Sequence, residues 1–160
     1  MTDNHNKQIM NVDNLQVPSS QVVVFYTEWN QHITEALLAG AKLVLADFPH
    51  IKVEAYQVPG AVELTHAVAM HHRYRPADAY IVFGCVIRGE TPHFDYVCQS
   101  VTQGISQLNV HLDAATIFGV LTVNHEEEAI ARIGGAHGHK GQEAAVAALK
   151  MLQLKHQFSK

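Results

Sequence analysis

Residues 79–101, AYIVFGCVIRGETPHFDYVCQSV, decide the fold of this chain. They open with a nearly continuous apolar run, Ala79 to Ile87, of the kind that is buried on both faces of a parallel sheet. A polar loop containing Gly89 and Pro92 follows, and apolar residues then recur at helical spacing from Phe94 onward. The segment therefore predicts a buried strand, a loop at its carboxyl end and a helix that covers the sheet.

The rest of the chain repeats this alternation of apolar runs and helical patterns. Asn30 and Asn124 stand where they would cap the helices after the first and last strands, and residues 134–139 predict a flexible link. Further strands are expected at Val22–Tyr26, Ile51–Gln57 and Thr116–Leu121, with a helix over Ala61–Tyr74. The pattern predicts an α/β protein, a three-layer α/β/α sandwich with a central four-stranded parallel sheet.

The composition fits a single globular domain. The chain has 160 residues, of which 48% are apolar, and a formal net charge of -4. It carries neither the basic face of a nucleic-acid binder nor a segment suited to a membrane, so we expect neither partner. We divide it into an N-terminal arm, residues 1–20, and a domain, residues 21–158. The arm is expected to be mobile or to add a strand in an oligomer.

Cysteine usage and the N-terminal composition indicate a cellular compartment. Cys85 and Cys98 form no CxxC pair and are too few for a disulfide framework. This favours two buried thiols in a reducing compartment. Residues 1–14 are polar and lack the apolar core of a secretory signal. We therefore expect a cytoplasmic protein.

In open parallel sheets, ligands bind beyond the carboxyl ends of the strands. The loop of residues 88–93 lies at such an end and opens a helix. Its backbone amides and the Thr91 hydroxyl could hold an anion, and His93 could transfer a proton near neutral pH. The alternative is a surface pair between Arg88 and Glu90 with a His93 that has no role.

The loops after the first two predicted strands suggest a site for a planar ligand. Gly60 and Ala61 are small enough for such a ligand to approach the backbone, and Glu63 follows in the first helical turn. Trp29, the one tryptophan of the chain, offers a stacking surface. The alternatives are a Glu63 that serves only the helix dipole and a partly buried, structural Trp29.

Two cations and several histidines complete the candidate groups. Arg132 and Lys140 flank a glycine-rich segment and could capture phosphate, or they could be solvated charges. The chain has 12 histidines, but none has the spacing and partners of a zinc site, so we expect no metal site.

The order and spacing of these segments resemble the lumazine synthase family from about Val22 to Leu154. The matching motifs are VPGAVE at residues 58–63, GCVIRGETPHFDYV at 84–97, FGVLT at 118–122, and AIAR at 129–132 with Lys140-Gly141. The resemblance implies condensation of 5-amino-6-(D-ribitylamino)uracil with 3,4-dihydroxy-2-butanone 4-phosphate. The products would be 6,7-dimethyl-8-ribityllumazine, phosphate and water, formed without a metal or organic cofactor.

The resemblance also implies residue roles. Trp29 would stack on the pyrimidine, where phenylalanine is commoner, and His93 would be the catalytic proton-transfer residue. Glu90, Thr91 and Arg132 would bind phosphate. The pyrimidine and its ribityl chain would be bound by Trp29, Gly60, Ala61, Glu63, Cys85, Val86, Ile87, Phe118 and Lys140.

The family resemblance further implies an oligomer. Phe118, Arg132 and Lys140 would reach the site from a neighbouring subunit, which implies a homopentamer or a multiple of it, with an icosahedral shell allowed. Riboflavin synthase is a further expected partner. The chain departs from the family pattern at Thr65, where proline is common, and at His139, where asparagine is usual.

Two other functions remain open at this level. A riboflavin synthase of the archaeal type would use lumazine as its substrate, although phosphate capture by Arg132 and Lys140 would then be unnecessary. A non-catalytic assembly or flavin-binding protein is the second.

Overall fold

The computed structural model describes residues 10–160, and its central sheet has the predicted form. Four strands, β1 to β4, pair in the order β2-β1-β3-β4, and all neighbours are parallel. Their bounds are Ser20–Thr27, Ile51–Val58, Ala79–Ile87 and Ala115–Val123. The predicted parallel sheet is therefore confirmed, and β3 has the bounds that its apolar run indicated.

Helices cover both faces of this sheet, as a three-layer sandwich requires. The helices are α1 (Gln31–Leu45), α2 (Ala61–Tyr74), α3 (His93–His111), the short α4 (Glu126–Ile130) and α5 (Lys140–Phe158). Leu37 of α1 and Leu149 of α5 are buried in one core cluster, whereas Leu64 of α2 and Val101 of α3 are buried in the other. Helices α1 and α5 therefore share one face of the sheet, and α2 and α3 share the other.

Alternation along β1 separates the two cores. Val22 and Val24 belong to the cluster with α1 and α5, and Val23 and Phe25 belong to the cluster with α2 and α3. Successive side chains of a strand point to opposite faces. Helices cover both faces of the sheet, so the side chains on both faces of β1 are apolar. The strand is therefore a continuous apolar run rather than an alternation of apolar and polar residues.

Two local expectations are wrong, and a third is correct only for the position of the cap. Asn30 precedes α1, but its side chain makes no capping hydrogen bond. The residue preceding α4 is His125 rather than Asn124, whose side-chain oxygen instead accepts a hydrogen bond from Arg88 at 3.0 Å. The expected flexible link is an antiparallel two-stranded ribbon, β5 (Ile133–Gly135) and β6 (Gly138–His139). Gly134, at the register irregularity of the ribbon, and Gly138 adopt a positive φ that glycine tolerates.

The segment before β1 lies against the domain over its described part. Val17 is buried in the core cluster of α1 and α5, and Val12 and Leu15 pack against it. The Gln16 backbone N–H also donates to Gln153 Oε1 at 2.7 Å. Residues 1–9 of the expected arm lie outside the described residues, and its pairing in an oligomer stays a prediction.

Both cysteines are free, but only Cys85 is buried, and Cys98 is half-buried. The expectation of two buried thiols is therefore correct for one of them. No helix within residues 10–160 is long and apolar enough to cross a membrane. Over the same residues, no three His, Cys, Asp or Glu side chains form a group suited to a metal ion.

Candidate active site at the carboxyl edge of the sheet

A cavity of about 600 Å³ opens at the carboxyl ends of β1, β2 and β3, where parallel sheets bind their ligands. We call it the edge cavity. Its walls come from the loops after β1 and β2, from the end of β3 and from the first turns of α3. They comprise Thr27, Trp29, Asn30, Gly60, Ala61, Val62, Glu63, Cys85, Val86, Ile87, His93 and Val97.

Trp29 forms an exposed wall of the edge cavity. Its side chain is 75% exposed, whereas its backbone is held, since its N–H donates to the Pro59 carbonyl at 3.4 Å. A Cβ built on Gly60 would stand 3.4 Å from Trp29 Cδ1. The indole therefore lies beside the bare backbone of Gly60, and the two leave a slot for a planar group.

Glu63 brings a carboxylate to the same slot. Gly60 precedes α2, and the Glu63 N–H donates to the Gly60 carbonyl at 3.2 Å in the first helical turn. Glu63 Oε2 would stand 3.0 Å from a Cβ on Gly60. A side chain at position 60 would therefore press on the Glu63 carboxylate and contact Trp29. The glycine leaves the carboxylate free to accept hydrogen bonds from ligand hydroxyls.

Arg88 braces the loop that carries His93. Its guanidinium donates to Asp95 Oδ1 at 3.1 Å and to Asn124 Oδ1 at 3.0 Å, and lies 4.1 Å from the centre of the Phe94 ring. The alternative pairing of Arg88 with Glu90 is wrong, because Asp95 is the carboxylate that Arg88 contacts. Arg88 thereby ties the start of α3 to the end of β4.

His93 is the first residue of α3, is exposed and lines the edge cavity. Its backbone N–H donates to Thr91 Oγ1 at 3.4 Å. Its imidazole shares the cavity with the Glu63 carboxylate, so the site combines a group able to accept or donate a proton with an acceptor of hydrogen bonds.

Cys85 supplies an apolar wall rather than a nucleophile. Burial, followed by the negative charge of Glu126, raises the pKa of the Cys85 thiol to about 11. The thiol therefore stays protonated near neutral pH, and a protonated thiol is a poor nucleophile.

Five predicted site residues do not line the edge cavity. Glu90 and Thr91 lie exposed in the loop before α3, and Phe118 is 42% exposed on β4. Arg132 donates to the Glu128 carbonyl at 2.7 Å, and Lys140 pairs with Glu143 at 2.7 Å. The Lys140 N–H also donates to the Arg132 carbonyl at 2.8 Å, which joins the two cationic residues across the base of the β5–β6 ribbon.

Four further residues line the edge cavity but were not among the site residues expected from the sequence: Thr27, Asn30, Val62 and Val97. Thr27 and Asn30 could have been predicted, because ligands bind at the carboxyl ends of the strands and this rule identifies the loop after β1. Val97 lies four residues after His93, one turn along the same face of α3, so helical spacing could have found it.

The fold and the position of the edge cavity are those of open parallel-sheet α/β proteins, which bind ligands at this edge. Comparison with known proteins narrows this class. The family model described as 6,7-dimethyl-8-ribityllumazine synthase matches residues 19–156. Since this match spans most of the chain, the chain belongs to the 6,7-dimethyl-8-ribityllumazine synthase family.

Individual relatives agree with the family match. The chain is 44% identical over 159 residues to the 6,7-dimethyl-8-ribityllumazine synthase of Flavobacterium johnsoniae, covering 96% of this chain and 84% of the relative. It is 48% identical over 136 residues to that of Porphyromonas gingivalis, with 84% of each chain covered. The enzyme of Phocaeicola vulgatus is 44% identical over 151 residues, 90% of this chain and 89% of the relative.

Proposed function

We propose that this protein is an enzyme of riboflavin biosynthesis that forms 6,7-dimethyl-8-ribityllumazine. Its substrates are 5-amino-6-(D-ribitylamino)uracil and 3,4-dihydroxy-2-butanone 4-phosphate, and it releases phosphate and water. Family membership supports the reaction. The observation that carries it is that one cavity gathers Trp29, Gly60, Glu63 and His93, together with the end of β3.

The edge cavity suits the pyrimidine substrate in both shape and chemistry. The ring stacks on the Trp29 indole beside Gly60 and Ala61, and its other side meets Cys85, Val86 and Ile87. Glu63 accepts hydrogen bonds from the ribityl hydroxyls. A slot that is apolar on its walls and polar at a few points is typical of small-molecule sites.

The loop before α3 suits the phosphate of the second substrate. Glu90 and Thr91 offer backbone amides at the start of α3, where the helix dipole favours an anion. The Glu90 side chain is exposed, and we expect it to point away from the bound phosphate. Arg132 adds the charge that the amides lack.

The reaction consists of Schiff-base formation, phosphate elimination, tautomerisation and ring closure, and each step moves a proton. His93 lies beside the cavity where both substrates meet, so we assign these proton transfers to its imidazole. Holding two substrates in reacting geometry can supply on the order of 7–11 kcal/mol, which makes positioning the main contribution.

The active unit is a homopentamer or a multiple of it, with one site at each interface. Phe118, Arg132 and Lys140 lie outside the edge cavity of their own chain, which is expected if they serve a neighbour. A shell of such pentamers would scatter light as a much larger particle than five chains. We place the protein in the cytoplasm, with riboflavin synthase, which consumes its product, as a partner.

The test is an assay that follows the lumazine absorbance and phosphate release together. Equal amounts of both products are expected from the two substrates. His93→Ala should lower kcat at least several-fold because a proton-transfer group is lost. His111→Ala, at the opposite end of α3, is the matched control. Folded oligomeric protein that forms neither product would contradict the proposal.

A further inference from the structure

Asn30 has an unusual backbone next to the stacking residue Trp29. Its φ of 55° and ψ of 44° lie in the left-handed region, which is costly for most side chains but tolerated by asparagine. Its carbonyl still accepts hydrogen bonds from Ile33 at 2.9 Å and Thr34 at 3.2 Å. The chain therefore turns sharply at Asn30 from the cavity loop into α1.

The Asn30 side chain connects this turn to another strand. Its amide Nδ2 donates to the Cys85 carbonyl at 2.8 Å, although the two residues are far apart in the sequence. Cys85 lies near the carboxyl end of β3 and forms a wall of the edge cavity. One hydrogen bond thus joins the Trp29 wall of the cavity to the β3 wall.

Within a single chain the Trp29 side chain has little packing that could hold its plane, because the residue is 75% exposed. The backbone around it is fixed instead. Glu28 N–H donates to the Val58 carbonyl at 2.8 Å, and Thr27 Oγ1 donates to the Trp29 carbonyl at 3.0 Å. These bonds hold the backbone before Trp29 and the Trp29 carbonyl, and the Asn30 amide holds the residue that follows.

We propose that Asn30 is a positioning residue, which sets the plane of the Trp29 indole through its left-handed backbone and its hydrogen bond to the Cys85 carbonyl. The inference deepens the proposed function and rests on it for its kinetic consequence. Asn30 acts through Trp29 and Cys85, so its loss weakens the stack on the pyrimidine ring and leaves the proton transfers of His93 intact.

Two variants remove the amide donor of Asn30 and keep its left-handed turn. Asn30→Gly keeps the left-handed turn without strain but removes the amide. Asn30→Asp keeps nearly the same shape, yet its carboxylate cannot donate to the Cys85 carbonyl. Each is expected to raise KM for 5-amino-6-(D-ribitylamino)uracil about tenfold, as loss of one hydrogen bond would, with a smaller change in kcat.

Trp29 fluorescence gives a readout that needs no turnover, because the chain has one tryptophan. In the free oligomer, both variants should show lower steady-state anisotropy than the wild-type protein, as the indole becomes mobile. Asn109→Asp is the matched control. Asn109 Nδ2 also donates to a backbone carbonyl, that of Thr116 at 2.9 Å, but at the opposite end of the sheet. It should change neither anisotropy nor KM.

The outcomes separate the inference from the proposed function. Unchanged anisotropy in both variants overturns the inference, and so does an Asn109→Asp variant that lowers anisotropy equally, since general loosening would then explain the effect. A fall in kcat/KM without a change in anisotropy also overturns it, because Asn30 would then contact the substrate directly. A wild-type protein that forms no lumazine contradicts the proposed function, while the anisotropy comparison still tests the role of Asn30.

Discussion

The His139 imidazole fills the space beside the Gly40 backbone where a side chain would otherwise stand, so a Cβ on Gly40 would overlap the ring. Gly40 lies on α1, and His139 ends β6 immediately before α5. The contact thus seats the β5–β6 ribbon on α1. Because Lys140 follows His139 directly, the same contact fixes where this cation leaves the ribbon.

Gly40→Ala is expected to lower the free energy of unfolding by about 1–3 kcal/mol, the usual cost of overpacking. Urea unfolding at fixed protein concentration measures it. Gly89→Ala is the matched control, because a Cβ on Gly89 meets nothing within 4 Å. In a double-mutant cycle, His139→Ala should recover most of the loss. Equal destabilisation with and without His139 would show that the ring is not what Gly40 accommodates.

Stability should fall on mild acidification because of the same imidazole. Burial lowers the pKa of His139 below its ordinary 6.5, although Glu143 acts in the opposite direction. The unfolded chain therefore binds a proton more readily than the folded one. The contribution of the neutral His139 to the free energy of unfolding is complete above pH 6.5 and is lost as the pH falls below it.

Unfolding free energies measured from pH 7.5 to 5.5 should decrease, and His139→Asn should flatten the decrease. A residual slope is expected from His71, whose pKa burial also lowers. Wild-type and His139→Asn proteins with identical slopes would show that His139 does not contribute.

Trp29→Phe should keep most of the affinity for the pyrimidine substrate, whereas Trp29→Ala should raise its KM about tenfold, because stacking on an aromatic ring contributes about 1–3 kcal/mol. Steady-state kinetics measure both. Phe158→Ala is the control, since Phe158 is also exposed, at 82%, but lies at the end of α5. If Trp29→Ala matched the wild-type KM, the indole would not be a stacking surface.

Subunit mixing tests whether the sites lie between chains. One variant carries Glu63→Ala with His93→Ala, and the other carries Arg132→Ala with Lys140→Ala. Each alone should be nearly inactive. After joint unfolding and refolding in equal amounts, about a quarter of the interface sites should contain all four wild-type side chains, since assembly of the two chains is random. Activity that does not recover would place all four residues in one chain's site.

Much of the candidate site follows from the sequence because the rule of strand carboxyl ends is topological. Once β1, β2 and β3 are known to be parallel, their following loops must meet at one edge. Trp29, Gly60 and His93 could therefore be grouped before any coordinates. Arg132 and Lys140 could not be placed in the same way, because a single chain does not contain the interface at which we expect them to act.

The two side-chain caps that do not form have the same physical cause. Asn30 and Asn124 both have side chains that favour helix caps, and the sequence near each fits that role. In the structure, Asn30 donates to Cys85 and Asn124 accepts from Arg88. Each partner lies on a different strand or loop, and a tertiary hydrogen bond of this kind replaces the local one without changing the local pattern.

The sequence by itself determined the parallel sheet, the helices on both faces and the edge at which the site lies, because apolar periodicity reports burial along each element. Tertiary structure alone decided that His139 packs on Gly40 and that the Asn30 amide reaches the Cys85 carbonyl. Those contacts join residues distant in the chain. They depend on how closely two elements approach and how each side chain is directed, which no periodicity along a single element can encode.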